Sequence, residues 1–193
     1  MDRMKAQAAS SMTDDPKPDL PRHAAQAPAE PFEALFMAEY GRVVAVANRV
    51  LADRTEAEDV AQEVFLDFHR RYRPDVHFAG PWLHAAAAHT ALNRIRGRRR
   101  RERRELNEAQ TRLREATPDP AHQVEIAEQR RAVRQALARL KPKAAAVLVL
   151  RYSGLSYAEV GAALNVGAGQ VGTLLRRAEQ ALKKELERSG SPV

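Results

Sequence analysis

Apolar residues recur at the three- and four-residue spacing of an α-helical face in two separate blocks of this 193-residue chain. The first block begins near Phe32 and the second near Ile126, and neither shows the alternation that is typical of a strand. A polar stretch at 105–124 lies between them, and Pro118 and Pro120 forbid a continuous helix through it. The sequence therefore predicts an all-α protein of two small helical domains joined by a flexible linker.

Composition sets the outer limits of those domains. Residues 1–31 hold five of the eleven prolines and no aromatic residue, so they cannot bury enough apolar surface to offset the entropy of ordering. We predict a disordered tail at 1–31, a first domain at 32–104, a linker at 105–124, a second domain at 125–188 and a short tail at 189–193.

Two helix starts carry the capping-box pattern, a hydroxyl residue followed three positions later by Glu. Thr55 with Glu58 predicts the start of a helix in the first domain, and Ser156 with Glu159 predicts one in the second. A tight turn at 165–167 follows that short helix, and a longer amphipathic helix comes next. This order is a helix-turn-helix, a common but not exclusive DNA-binding unit.

The charge of the chain is concentrated in one segment. The formal net charge is +7, and the segment 94–104 contains eight arginines and one glutamate, so the remaining residues sum to zero. Such a run can be a solubilising face. Placed after a loop that holds aromatic residues, it favours single-stranded nucleic acid, whose phosphates bind arginine and whose bases stack on rings.

An acidic helix face includes Glu56, Asp59 and Glu63. Catalytic carboxylates are a poor interpretation, because no nucleophile or suitably spaced His accompanies them. The alternatives are a solvated helix face and a docking surface for a partner. The six histidines show no metal-ligand spacing and there is no Cys, so we expect no metal, no cofactor and no enzymatic activity.

The longest apolar runs are far shorter than the ~20 residues of a membrane span, and the first residues lack a hydrophobic signal segment. We expect a cytoplasmic protein without membrane insertion.

Three segments, in this order, resemble bacterial RNA polymerase sigma factors of the extracytoplasmic-function (ECF) class. They are EDVAQEVF at 58–65, FAGPWL at 78–83 before an Ala-rich helix that ends in arginines, and LSYAEV at 155–160 in the helix-turn-helix. The resemblance covers 32–104, as sigma domain 2, and about 125–186, as sigma domain 4. It implies a transcription initiation factor that binds core RNA polymerase and promoter DNA.

The resemblance also implies roles for individual residues. Asp59, Gln62 and Glu63 would dock on the clamp of the polymerase β′ subunit. The loop at 72–80 would capture a base flipped from the −10 element, and the third helix would follow the non-template strand. The residues expected to bind −10 DNA are Tyr72, His77, Phe78, Trp82, His89, Asn93, Arg96, Arg98, Arg99, Arg100 and Arg101. For Trp82, a place in the core beneath the loop is an equal alternative.

Domain 4 would bind the β flap and present its last helix to the −35 major groove through Gln170, Thr173, Arg176 and Arg177. Gly172, Leu174 and Glu179 stand where the family usually has Lys or Arg, which predicts weak readout of the −35 element. Sigma factors of this class are commonly held by an anti-sigma protein, so such a partner is implied as well. The alternatives are a stand-alone helix-turn-helix DNA-binding regulator and a sigma-like interaction protein that no longer reads DNA.

Overall fold

A computed structural model describes residues 29–109 and 121–189. These ranges contain seven helices and no strand, which confirms the all-α prediction. The helices are α1 (Ala29–Leu51), α2 (Arg54–Arg71), α3 (Ala79–Ala109), α4 (Ala121–Arg139), α5 (Pro142–Tyr152), α6 (Tyr157–Ala163) and α7 (Ala168–Arg188). The predictions for 1–28, 110–120 and 190–193 lie outside the described residues.

Helix occupies both ends of the segment predicted as a linker. α3 continues to Ala109, and α4 already begins at Ala121, directly after the second proline. The continuation of α3 is understandable because Arg, Glu, Leu and Ala favour the helix strongly. Likewise, α1 begins at Ala29, inside the segment predicted as a tail.

The predicted cap of α2 was wrong by two residues. Asp53, with extended backbone at φ −141° and ψ 117°, is the N-cap, and its carboxylate accepts the Glu56 N–H at 3.0 Å. Thr55 lies inside the helix. Asp and Thr are both good caps, so a pattern that fits Thr55 does not exclude the Asp that precedes it.

The capping box of α6 is confirmed. The Ser156 hydroxyl accepts the Glu159 N–H at 3.3 Å, and the Glu159 carboxylate accepts the Ser156 N–H at 2.7 Å. The turn that follows requires Asn165 at φ 50° and a close approach at Gly161, where a Cβ would lie 2.8 Å from a carbonyl oxygen of the turn. α6, this turn and α7 form the predicted helix-turn-helix.

Two helical units share the buried core. α1, α2 and α3 pack together around large side chains such as Phe68, Leu83 and Leu92, and α4 to α7 pack around Leu150 and Leu155. The two units also pack against each other, because α3 contacts α4, α5 and α6 and α1 contacts α5. This packing between units was not part of the sequence prediction.

Candidate nucleic-acid interface

The acidic face of α2 points to solvent. Asp59, Gln62 and Glu63 are exposed on the side opposite the buried residues of the helix. Their spacing of three and four residues places them on one helix face. Leu66 extends the same face and leaves 54% of its surface exposed. An apolar side chain beside exposed acids is the composition of a docking surface, although one exposed leucine alone is ordinary.

An arginine of α3 reaches this acidic face. Arg94 donates from Nη2 to Glu63 Oε2 at 3.0 Å, and Arg98 pairs with Glu56 two turns earlier on α2. The sequence reasoning left Arg94 out of every site. Its spacing of four residues from Arg98 was the available signal, since residues four apart share a helix face.

The arginine segment presents three faces rather than one. Arg94 and Arg98 face α2, and Arg99 faces α4 and is partly buried. A third stripe follows His89, Asn93, Arg96 and Arg100 at helical spacing. Only part of the predicted DNA-binding set is therefore open to solvent.

Contacts along that third stripe fix its side chains. Arg96 donates to Asn93 Oδ1 at 3.2 Å and to the carbonyl oxygen of Leu140 in the second unit at 3.3 Å. His89 is half-buried, while Asn93, Arg100 and Arg101 are exposed. Arg100 and Arg101 are the exposed arginines of the predicted set, and Arg103 and Arg104 further along the same helix are exposed as well, so a phosphate backbone can reach this end of α3.

The aromatic residues around the loop at 72–78 pack on one another. The ring of Tyr72 lies 5.5 Å from those of Phe68 and Trp82, and 5.4 Å from that of Phe78. Tyr72 is buried, whereas Phe78 and Trp82 are half-buried and His77 is exposed. These rings hold the loop on the core, which favours the core interpretation of Trp82 and leaves His77 as the exposed member of the predicted set in this loop.

The last helix presents a polar face to solvent. Gln170, Thr173, Arg176 and Arg177 are all exposed, while Val171 and the other apolar positions of α7 face the core. Gln, Thr and Arg offer the donors and acceptors that can meet base edges or phosphates in a major groove.

The three unusual residues of α7 lie beside this exposed face and contact the protein. A Cβ on Gly172 would be 3.6 Å from the Tyr157 ring, and Leu174 packs against the core. Glu179 accepts a hydrogen bond from the Tyr152 hydroxyl at 2.9 Å, which raises the pKa of that phenol. Their lack of positive charge therefore says less about DNA contact than the sequence suggested.

A group of charged residues joins the two units near α6. Arg42 of α1 pairs with Glu159, and this bond, followed by the hydrogen bonds from Ser156, lowers the pKa of the Glu159 carboxyl to about 2. His84 is buried nearby and its Nε2 lies 2.9 Å from Glu39 Oε2. Burial lowers the pKa of His84, opposed by Glu39 and Glu159, so the imidazole is neutral at pH 7.

No group of three or more His, Asp or Glu side chains in the described part of the chain could hold a metal ion. None of the helices at 29–109 and 121–189 is both long and apolar enough to cross a membrane.

A helix-turn-helix with an exposed polar face, beside a helix rich in arginine, defines this molecule as a helical nucleic-acid-binding protein. Comparison with known families makes the class specific. Residues 35–101 match the model of Sigma-70 region 2, and residues 130–182 match that of Sigma-70 region 4.

Individual relatives agree with the family models. ECF RNA polymerase sigma factor SigE of Mycolicibacterium smegmatis is 31% identical over 170 residues, which covers 86% of this chain and 65% of SigE. ECF sigma factor SigW of Bacillus subtilis is 28% identical, with 75% of this chain and 83% of SigW covered. The chain belongs to the ECF class of the sigma-70 family.

A solved structure is also similar, that of the sigma factor RpoE in complex with the anti-sigma factor NepR from Bartonella quintana. It is 18% identical, with a TM-score of 0.46, and the match covers 82% of this chain and 98% of RpoE.

Proposed function

We propose that this protein is a transcription initiation factor that binds core RNA polymerase and directs promoter recognition and melting of the −10 element. The observation that carries the proposal is the exposed face of Asp59, Gln62 and Glu63 on α2, inside the Sigma-70 region 2 match. By the resemblance to this class, these side chains would dock on the β′ clamp of the polymerase. All three are exposed, and Glu63 remains exposed although it pairs with Arg94.

Promoter DNA then contacts both units. In the first unit we assign −10 binding to the exposed loop residue His77, to the half-buried Phe78 beside it, and to the exposed arginines 100 and 101. The remaining members of the set implied by the resemblance are Tyr72, Trp82, His89, Asn93, Arg96, Arg98 and Arg99. Opening the duplex costs base stacking, and binding of an extruded base and the exposed strand offsets that cost.

The second unit binds the β flap and the −35 element. Gln170, Thr173, Arg176 and Arg177 form the face of α7 that meets DNA, with the two arginines mainly on phosphates, which position the protein without specifying sequence. Phosphodiester synthesis belongs to the polymerase, so the protein itself is not an enzyme. A cytoplasmic location and an anti-sigma partner complete the proposal.

Promoter-dependent transcription with reconstituted polymerase tests it. Asp59→Lys combined with Glu63→Lys should abolish polymerase binding and transcription, because mismatched charges in an interface cost several kcal/mol. The matched control is Glu33→Lys with Glu128→Lys, which reverses two exposed charges elsewhere and should retain both activities. Helix content should be equal in all variants, since exposed charges contribute little to folding.

The outcomes separate the alternatives. Unchanged polymerase binding by the α2 variant would refute the docking surface, and DNA binding without polymerase would then support a stand-alone regulator. Polymerase binding without any promoter-dependent transcription would support the sigma-like interaction protein.

A further inference from the structure

A cavity of about 140 Å³ opens where the arginine segment of α3 lies beside α4. A single water needs only about 10–15 Å³ of such space, so the cavity admits a group of several heavy atoms. Its lining comes equally from the two units. α3 contributes Ile95, Arg98, Arg99 and Glu102, and α4 contributes Arg131, Arg134, Gln135 and Ala138.

The lining carries an excess of positive charge. Four of its eight residues are arginines and one is a glutamate. Arg98 is neutralised by Glu56, which lies outside the cavity. For Arg99, Arg131 and Arg134 the described residues provide no ion pair with an acidic side chain. Arg99, Arg131 and Arg134 of the two units therefore face one space, in whose lining Glu102 is the single acidic side chain.

Surrounding residues increase this excess. The pKa of the Arg99 guanidinium is lowered first by burial and then by the charges of Arg139 and Arg103. Glu185 is the acid that opposes them, and it is already shared by Arg139 and Arg188. Positive charges held together and partly shielded from water favour the binding of an anion.

We propose that this groove binds an oligophosphate anion, and that the bound anion stabilises the packing of α3 against α4. Guanidinium is planar and always charged, and it donates two parallel hydrogen bonds to phosphate oxygens, so arginines from both sides of the groove can hold one diphosphate unit. The Gln135 amide supplies a further neutral donor. The size of the cavity fits a diphosphate, and any nucleoside attached to it would project into solvent.

The site shares Arg98 and Arg99 with the −10 set implied by the resemblance, but the anion also contacts α4, and its binding needs neither polymerase nor promoter. A bound anion would also keep Arg98 and Arg99 from contacting DNA while the two units are packed together. The free protein is consequently the right material for the test.

Titration calorimetry with inorganic pyrophosphate measures the binding directly, with sulfate at equal ionic strength as the reference anion. Pyrophosphate should bind at one site at least tenfold more tightly than sulfate, and should raise the melting temperature, since a ligand of the folded state stabilises it. Arg131→Gln with Arg134→Gln should weaken binding by about tenfold per arginine, because charged hydrogen bonds are lost.

Arg49→Gln with Arg130→Gln is the matched control, because it removes the same charge from exposed positions outside the lining. It should bind pyrophosphate like the wild type.

Equal weakening in both double variants would show diffuse attraction to net charge and would overturn the site. The absence of saturable binding, or equal affinity for sulfate, would also overturn it. Binding of an oligothymidine that depends on Arg131 and Arg134, without binding of pyrophosphate, would also overturn it and assign the groove to a nucleic-acid strand. Tighter binding of a nucleoside diphosphate than of pyrophosphate would support the site and identify a nucleotide as its source.

Discussion

Glu159→Ala should destabilise the protein more than removal of an ordinary surface ion pair. The Glu159 carboxylate both accepts the Ser156 N–H at 2.7 Å and pairs with Arg42 of the first unit. Loss of one capping partner costs about 1 kcal/mol. Loss of an exposed ion pair costs about 0.2–1 kcal/mol, and the exposed fractions of the two side chains, 44% and 38%, place this pair in that class. The sum is roughly 1–2 kcal/mol, or a fall in melting temperature of about 2–8 °C for a chain of this length.

The effect should depend on pH. The pKa of the Glu159 carboxyl is about 2 in the folded protein, compared with an ordinary value of 4.5. As the pH falls, the unfolded chain therefore takes up this proton first, so the stabilisation is fully present above pH 4.5 and is lost progressively toward pH 2. The difference in stability between the wild type and Glu159→Ala should shrink over that interval.

Urea unfolding followed by circular dichroism at pH 7, 5 and 3 measures both effects. Glu159→Gln should lose only the ion pair, because Gln can also complete a capping box. Glu58→Ala is the control, since it removes an exposed pair with Arg54 at 2.8 Å that contributes no cap. Equal losses in Glu159→Ala and Glu58→Ala, or a loss that does not change with pH, would refute the argument.

Four further predictions follow from the local geometry and from the proposed DNA contacts. Gly161→Ala should cost about 1–3 kcal/mol, because its Cβ would lie 2.8 Å from a carbonyl oxygen, and equal melting temperatures for it and Gly169→Ala, where the space is open, would contradict this. Asp53→Ala should lose about 1 kcal/mol and Thr55→Ala under about 0.5 kcal/mol in urea unfolding, and the reverse order would show that Thr55 is the cap. Stability should fall as the pH drops below 6.5 toward the lowered pKa of His84, since the unfolded chain binds that proton first, and a parallel fall in His84→Gln would exclude the imidazole as the cause. In a promoter scan, each base change in the −35 element should cost less than the ~1–3 kcal/mol expected for the −10 element, and equal sensitivity would mean that α7 reads bases directly.

Features that depend on neighbouring residues could be predicted from the sequence. Ser156 and Glu159 form a capping box whose two hydrogen bonds span only three positions, and this cap marks the start of the first helix of the helix-turn-helix. The exposed face of Asp59, Gln62 and Glu63 follows from helical spacing in the same way. The same reasoning chose Thr55 instead of Asp53, because two adequate caps stood within one turn.

Features that depend on residues distant in the sequence could not be predicted. A run of arginines indicates solvent or nucleic acid, yet Arg98 reaches Glu56 on α2 and Arg99 faces α4. Gly172 stands where the sequence suggests a missing DNA contact, and the structure places the Tyr157 ring at ordinary van der Waals distance from a Cβ at this position. In each case the partner lies on another helix, and its position depends on how the helices pack rather than on spacing along the chain.

The length of α3 has a consequence for how this chain can vary. Its 31 residues form a helix of about 46 Å. The first turns pack with α1 and α2, and the later turns pack against α4. Each residue advances a helix by about 100° around its axis. Insertion of a single residue after Gly97 would rotate the later turns of α3 by about 100° relative to α1 and α2. If Arg99 kept its packing on α4, the whole second unit would move around the axis with it. A change of about seven residues, two full turns, would nearly restore the angular phase, and it would shift the two units by about 10 Å along the axis. Insertions and deletions in α3 are therefore constrained in length, just as substitutions are constrained in the type of residue.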